Sequence, residues 1–517
     1  MAMSISPTAS ATPASDPVRR ASPVILLVLA AAVSAYALLQ SLVVPVLATV
    51  QQAMHTDQTS ATWVLTAYLL SASIFTPIIG RVGDAVGKKK MLVLTLAALA
   101  AGLLLAAVAG SITVLVAARV LQGVGGGVLP LAFGITRDEF PPHRAPATVG
   151  LLAALTAVGG GLGIVLAGPI INVLDYHWLF WLPLIAVVAT GVAAQLLLPA
   201  SPAHARGRIS VTPAVLLSAW LVALLLALSE GSVWGWASGR VLGLLGAAVV
   251  LAAGWITAER RAATPLVDLR MMRIPAVWTS NLVALMVGVG MYATFGFLPQ
   301  FLQTPSQAGY GFGASVTASG LIMLPWPVTM FAVGAASGRL AARFGAKALV
   351  VAGSLIAVPP FLLMAFAHDH VWELCLATGA LGVGFGLAFA AMSSLVVQAV
   401  PAHQTGVASG MNANIRTIGG AVGAALMAGI VTARTGPGGL PAESGYAWGF
   451  AALAGATVLA FLAALLIPAR VGEQVLPEPV RGDDLERRAG TAAPANAVAE
   501  APAGTAGAAA GTASREG

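Results

Sequence analysis

The sequence predicts an all-α polytopic membrane protein with fourteen transmembrane helices, and three observations carry this prediction. First, 58% of the 517 residues are hydrophobic and 9% are charged, whereas a soluble domain carries about 25% charged residues. Second, the cationic residues fall almost entirely in alternate links between apolar segments. Third, short motifs recur in the same order in the two parts of the chain. Most of the chain must therefore lie in lipid.

The apolar segments are long enough to cross a bilayer, which takes roughly 20 residues per helix. We predict spans at 24–50, 60–79, 91–110, 112–134, 147–170, 178–198, 213–230, 241–258, 276–302, 315–336, 348–367, 371–397, 405–432 and 446–468. The first apolar segment is too long for the core of a signal peptide, so it is counted as a helix.

The distribution of positive charge predicts the orientation. With the N-terminus inside, all of the 26 Lys and Arg residues except Arg119, Arg240, Arg416 and Arg434 fall on the inner side. Cationic links favour the cytoplasm, and omitting one span would put every later link on the wrong side. We therefore expect a multi-pass protein of the cell inner (plasma) membrane with both termini in the cytoplasm.

The chain also repeats itself. GRVGDAVGKKKMLV begins at position 80 and GRLAARFGAKALVV at position 338. GVGGGV begins at Gly123 and GVGFGL at Gly382, and four glycines of the fifth span recur at a similar offset in the thirteenth. Three matches in order indicate two homologous halves, a common plan among membrane transporters.

These observations divide the chain into five parts. We predict a cytoplasmic tail at 1–22, a six-helix half at 23–200, a linker with two extra helices at 201–262, a second six-helix half at 263–468 and a disordered cytoplasmic tail at 469–517. The final tail is rich in alanine and glycine, a composition that does not bury enough apolar surface to fold.

Several classes of function lack a sequence signal. Cys375 is the single cysteine, no CxxC or HExxH motif occurs, and GDAVGKK lacks the spacing and hydroxyl of a phosphate-binding loop. We expect no enzyme activity, no metal site, no cofactor and no nucleic-acid partner, although the net charge is +7. The charge is explained by its position beside the membrane.

Three of the motifs resemble those of the major facilitator superfamily. GRVGDAVGKKK (80–90) is similar to its signature between the second and third helices, and LVAARVLQGVGGG (115–127) to its fourth-helix motif. GGGLGIVLAGPI (159–170) resembles the fifth-helix motif of its antiporters. With fourteen spans, the chain is similar to the drug:proton antiporter family of that size. The resemblance implies the major facilitator fold, with two six-helix halves and two inserted central helices.

Two positions depart from the family pattern. Gly163-Ile164 stands where the antiporter motif has Gly-Pro, and Gly168-Pro169 follows five residues later. Leu39 occupies the place of an aspartate that relatives often carry in the first helix. The role of that aspartate is therefore not carried over to this chain.

The motif GRVGDAVGKKK at 80–90 has two interpretations. Its cations can simply anchor the chain on the cytoplasmic side, but an acid at Asp84 would weaken such an anchor. The resemblance implies a conformational latch that holds the cytoplasmic ends of the halves together. The candidate latch residues are Gly80, Arg81, Asp84, Gly87, Lys88 and Lys89. The second copy of the motif has Ala342 in place of the acid.

Arg119 is an arginine inside an apolar span, which is costly in a membrane. It could snorkel to the outer surface, or act as a fixed cation during proton exchange, as the resemblance implies. Gln122 could orient it, and Glu230, at the end of an inserted helix, is the candidate carboxyl group for coupling.

Two further sets of residues complete the candidate site. Gly159, Gly163, Gly168 and Pro169 are candidates for packing between the halves, with or without motion. The candidate substrate-cavity residues are Tyr36, Gln40, Trp63, Tyr68, Tyr292, Phe295, Asn412 and Arg416. Aromatic and amide side chains suit flat amphipathic molecules, although each could equally serve helix packing.

The sequence therefore predicts a monomeric transporter that exports drugs or other small amphipathic molecules in exchange for protons. Two alternatives remain at this point. One is a carrier dedicated to a single metabolite or natural product. The other is a membrane sensor that keeps the fold without transport, although such a sensor usually has a soluble output domain.

Overall fold

The computed structural model describes residues 23–56, 58–200, 210–262, 264–433 and 440–469. Within these residues, fourteen helical segments are long and apolar enough to cross a membrane, which confirms the predicted fold class. The segments are α1 Pro23–Val46, α2 Trp63–Val86, α3 Lys88–Ala107, α4 Ile112–Glu139, α5 Ala145–Val173, α6 Trp178–Leu197, α7 Val211–Trp234, α8 Gly239–Arg261, α9 Pro275–Gln303, α10 Val316–Phe344, α11 Ala346–Phe366, α12 Val371–Ala399, α13 Ala402–Thr432 and α14 Glu443–Leu465. Both predicted tails, apart from Ala469, lie outside the described residues.

Five of these segments break or change helix type, which their apolar pattern did not predict. α1 turns at Val43 into a 3-10 helix at Val44–Val46, and α13 begins with a 3-10 turn at Ala402–Gln404. α4 contains a short 3-10 turn at Val124–Gly127. α10 breaks before Pro325 and α11 breaks before Val358-Pro359. Proline removes a backbone donor and clashes with the preceding turn, so it begins a helix more readily than it continues one.

Glycines bring pairs of helices into close contact. A Cβ on Gly163 of α5 would lie 2.7 Å from the carbonyl oxygen of Leu38 in α1. In the second part of the chain, a Cβ on Gly423 of α13 would meet the carbonyl oxygen of Val289 in α9. Glycine permits this approach because it has no Cβ, and the two glycines are related by the sequence repeat.

The turns after α2 and α10 repeat in the same way. Gly87 and Gly345 both have positive φ, 107° and 84°, a conformation that L-residues with a Cβ rarely adopt. Two residues later, the Lys89 ammonium donates to the Leu198 carbonyl at 2.5 Å. Lys347 donates to the Leu465 carbonyl at 2.9 Å. Residues that repeat in the sequence thus occupy equivalent structural positions.

The inserted helices do not stand apart from the others. α7 and α8 pack against each other, and α7 also contacts both α2 and α13. α7 therefore lies against one helix from each repeat, beside the gap between them.

Candidate functional site

A cavity of about 450 Å³ lies inside the helical bundle, within the range of roughly 300–1,000 Å³ that is usual for small-molecule sites. Side chains from α1, α2, α4, α5, α7, α9, α10, α12 and α13 line it. Most of the lining is apolar, and a few polar groups project into it. Helices from both repeats therefore build one common site.

Most of the predicted cavity residues lie at this site. The lining includes Tyr36, Gln40, Tyr68, Tyr292, Phe295 and Arg416. Trp63 is half-buried and lies outside the lining. Asn412 borders a small adjoining pocket together with Arg416, and its amide donates to the Asn281 side-chain oxygen at 2.8 Å.

Arg119 of α4 is fully buried and lines the cavity. Its Nε donates to the Val64 carbonyl at 3.1 Å, and its Nη1 donates to Gln122 Oε1 at 2.8 Å. Gln122 is itself fixed, because its amide donates to the Gly102 carbonyl at 3.0 Å. The guanidinium carbon lies 4.4 Å from the centre of the Tyr68 ring. These contacts hold Arg119 inward, against snorkelling to the surface.

Arg416 of α13 is the second buried cation of the cavity. It is 7% exposed, and its guanidinium carbon lies 4.1 Å from the centre of the Phe389 ring. Its backbone carbonyl packs against Gly288 of α9, where a Cβ would find no room. As at Arg119, an aromatic face stabilises the cation away from water.

The inserted helix α7 forms part of the cavity wall, which sequence reasoning missed. Leu225, Leu228, Ser229 and Ser232 all line the cavity. Ser229 and Ser232 are three residues apart and so share a helix face; two hydroxyls at that spacing in an apolar segment were the available signal. Glu230 is buried but lies outside the lining.

At one end of the bundle, which we call the Asp84 end, α2 meets α13 directly. A Cβ on Gly80 would lie 2.5 Å from the carbonyl oxygen of Gly406. One turn along α2, Asp84 Oδ2 accepts a hydrogen bond from the Val407 backbone N–H at 3.2 Å. Asp84 is 1% exposed. This contact joins the first repeat to the second.

Other predicted latch residues surround the same carboxylate. The Lys88 ammonium lies 3.7 Å from Asp84 Oδ1 and 2.7 Å from Asp138 Oδ2. Arg81 is close enough to Asp84 for its charge to act on the carboxylate. The Lys89 ammonium donates to the Leu198 carbonyl just after α6, as described above, so this bond fastens α3 to the end of α6.

Arg137 adds a second connection at the Asp84 end, which the sequence did not reveal. Its guanidinium donates to the Val397 carbonyl at 2.5 Å and to the Thr405 hydroxyl at 3.0 Å. It also donates to the Val400 carbonyl. Arg137 of α4 therefore links the first repeat to the carbonyl groups at the end of α12 and to the start of α13, both in the second repeat.

A buried carboxylate at the end of α8 supports the same region. Glu259 accepts hydrogen bonds from Trp255 Nε1 at 3.1 Å and from the backbone N–H groups of Leu266 and Val267 at 3.0 and 3.1 Å. It fastens the segment that leads into α9, and Arg81 is near enough for its charge to act on it. Every oxygen of this acid is paired, so its role is structural.

The predicted packing glycines face two different partners. Gly159 and Gly163 pack on α1, whereas Gly168, beside Pro169 near the end of α5, packs on Thr317 of α10. Near the start of α5, Ala147 meets Gly338 near the end of α10. The α5–α10 contact therefore extends from the Asp84 end to the opposite end of both helices.

Comparison with known proteins finds one family model that matches more than half of the chain. The family model described as the Major Facilitator Superfamily matches residues 29–424 and 281–510. The multidrug transporter protein MdtP of Bacillus subtilis is 27% identical over 72% of this chain and 69% of its own length. The tetracenomycin C resistance and export protein of Streptomyces glaucescens is 27% identical, with coverage of 75% and 72%.

A third relative, the methylenomycin A resistance protein of Streptomyces coelicolor, is 28% identical over 74% of this chain and 79% of its own length. Among solved structures, the human organic anion transporter MFSD10 aligns with a TM-score of 0.64. It covers 87% of this chain and 100% of that protein at 18% identity. At that identity the likeness shows the fold alone.

Proposed function

Because the chain belongs to the major facilitator superfamily, we propose that it exports drugs, antibiotics or other small amphipathic molecules in exchange for protons by alternating access. The observation that carries this proposal is the cavity between the two repeats, bounded at the Asp84 end by the α2–α13 contact. The names of the three relatives, which concern multidrug transport, export and antibiotic resistance, support the same class of substrate.

Alternating access requires that the cavity open to one side at a time. We assign the Asp84 end to the cytoplasm, because most of the cationic links lie there, and we assign this conformation to the outward-facing state. The contacts that close the Asp84 end are few enough to break and form again in each transport cycle. They consist of two glycines in van der Waals contact, one carboxylate–amide hydrogen bond and the three hydrogen bonds of Arg137. A few such bonds stabilise one state by an amount that a bound ligand can offset.

Proton coupling is assigned to Arg119, Gln122 and Glu230. Arg119 is held by Gln122 at the cavity surface, where its charge favours loss of a proton from a neighbouring water or acid. Glu230 follows the lining residue Ser229 in α7 and is 4% exposed. Opening and closing around α7 would bring this carboxyl group into contact with the cavity.

The test uses the full-length protein in liposomes with an imposed pH gradient and a trapped pH-sensitive dye. Ethidium, rhodamine 123 and fluorescein are added in turn, and both dye and proton movement are recorded. We expect solute-dependent proton movement for at least one dye and its loss, by roughly tenfold or more, in Arg119→Gln. Arg343→Gln, which removes an exposed arginine at the end of α10, is the matched control.

Two results would overturn parts of the proposal. Proton-coupled flux that persists in Arg119→Gln would remove Arg119 from the coupling mechanism. Absence of flux for all three dyes, with the protein intact in the membrane, would argue against an exporter of amphipathic molecules.

A further inference from the structure

We propose, on the basis of the proposed transport function, that the solute is an aromatic anion: a flat ring system bearing a carboxylate, sulfonate or phenolate. Its acidic group lies between Arg119 and Arg416, one guanidinium from each repeat. Three features of the cavity favour such a solute: its charge, its unpaired donors and its aromatic side chains.

The charge of the cavity has a single sign. Among the described residues that line it, Arg119 and Arg416 carry charge, and the described lining contains no aspartate or glutamate. A cationic solute would enter against two fixed positive charges in an environment of low dielectric constant, where like charges repel more strongly than in water. An anion meets attraction from both.

Each guanidinium also keeps a donor without a protein acceptor. Within the described part of the chain, Arg119 Nη2 and Arg416 Nε have no hydrogen-bond partner. The two side chains are 0% and 7% exposed. Buried donors are nearly always paired in native structures, and an N–H that belongs to a cation pairs most strongly with an anionic oxygen. Both N–H groups are covered in this conformation, so an acid oxygen of the solute supplies the missing acceptor once the guanidinium turns toward the cavity.

Aromatic side chains surround the two cations. The Tyr68 ring faces Arg119 and the Phe389 ring faces Arg416. The cavity is also lined by Tyr36, Tyr292, Phe295 and Phe297. Rings stack on rings in offset or edge-on geometry, so this wall favours a planar solute. The combination of two forked cations and six aromatic rings defines the ligand class by its chemistry.

The test compares two dyes with the same xanthene ring system and opposite charge. Fluorescein is anionic at neutral pH and rhodamine 123 is cationic. The full-length protein is placed in nanodiscs of zwitterionic lipid, so that anionic headgroups do not compete, and dye binding is measured by fluorescence polarisation. We expect fluorescein to bind more tightly than rhodamine 123.

Arg416→Gln should weaken fluorescein binding by roughly tenfold or more, as expected for a lost hydrogen bond to a charged group. Arg416→Lys keeps the charge without the planar fork, so its affinity for fluorescein should lie between those of the unchanged protein and Arg416→Gln. The matched control is Arg343→Gln, since Arg343 also lies beside a phenyl ring, 5.2 Å from the centre of Phe344, but is exposed and outside the cavity. Size-exclusion profiles of each variant establish that it is folded.

The outcomes separate the two proposals. Gradient-driven flux of rhodamine 123 without binding of fluorescein would overturn the anion site and leave the exporter intact. Fluorescein binding unchanged in both Arg416 variants would also overturn the anion site. Arg416-dependent binding without flux of any dye would support the anion site and overturn the proposed transport.

Discussion

The sequence repeat relates two interhelical contacts, α2–α13 and α10–α5, which differ in extent. At the Asp84 end they match, since Gly80 faces Gly406 and Gly338 faces Ala147. Toward the other end, α5 and α10 stay in contact as far as Gly168, whereas α2 and α13 are separated by the cavity and α7. One contact is therefore continuous, and the other depends on one end alone.

The two contacts also differ in chemistry. The first copy of the motif places Asp84 against the Val407 N–H, and the second copy has an exposed Ala342 at the same position. The buried carboxylate contact therefore lies at the discontinuous α2–α13 contact and has no counterpart at position 342 of the continuous one. We expect α2 and α13 to separate at the Asp84 end during transport, while α5 and α10 remain packed.

The largest expected effect comes from filling the space between α2 and α13. Gly80→Leu places a side chain where even a Cβ would lie 2.5 Å from a backbone oxygen. Overpacking of this kind costs about 1–3 kcal/mol, so closure should fail and dye flux in liposomes should fall by about tenfold or more. Gly429→Leu is the control, because a Cβ on Gly429 of α13 meets nothing within 4 Å. Full flux in Gly80→Leu would mean that this contact is not needed.

A smaller effect is expected from Asp84→Asn. The amide oxygen can still accept from Val407, Lys88 keeps its ion pair with Asp138, and Arg137 keeps its contacts, so closure should weaken without being lost. The reporter is Ser409→Cys in a Cys375→Ala background, since Ser409 is 6% exposed in this state. Labelling by a membrane-impermeant maleimide should accelerate about two- to fivefold. An unchanged rate would exclude the carboxylate charge from the closure.

The smallest effect is expected from adding the acid to the second copy. Ala342 is exposed, so the carboxylate of Ala342→Asp should remain in water and change dye flux by less than about twofold. A large change would show that the α5–α10 contact is as sensitive to charge as α2–α13, and the contrast between the two would then be incorrect.

The sequence was sufficient for features that are local. Fourteen spans follow from apolar segments of roughly 20 residues, and Arg119 and Arg416 stood out because a cation in such a segment is costly. The breaks in α10 and α11 were less visible. Their prolines are common in membrane helices, where neighbouring helices can satisfy the freed backbone groups.

Features that depend on distant contacts were not predictable. Arg137 resembles an ordinary anchoring cation near a helix end, yet its acceptor on Val397 is 260 residues away. Glu259 precedes two arginines and resembles a solvated acid at a helix end, until the chain folds back to place Leu266 and Val267 on it. Trp63 shares its helix with Tyr68, but the rotation of that helix directs one of them alone into the cavity.

The position of α7 bears on how such a chain can be shortened or recombined. Because Leu225, Leu228, Ser229 and Ser232 form a wall of the cavity, we expect that excision of α7 and α8 would not leave a working twelve-helix protein. It would leave the cavity facing acyl chains, and a solute held there would exchange with the lipid. A chimaera that keeps both repeats but takes this helix from another protein would change the surface the solute meets. We therefore expect α7 to be a position at which selectivity can be changed.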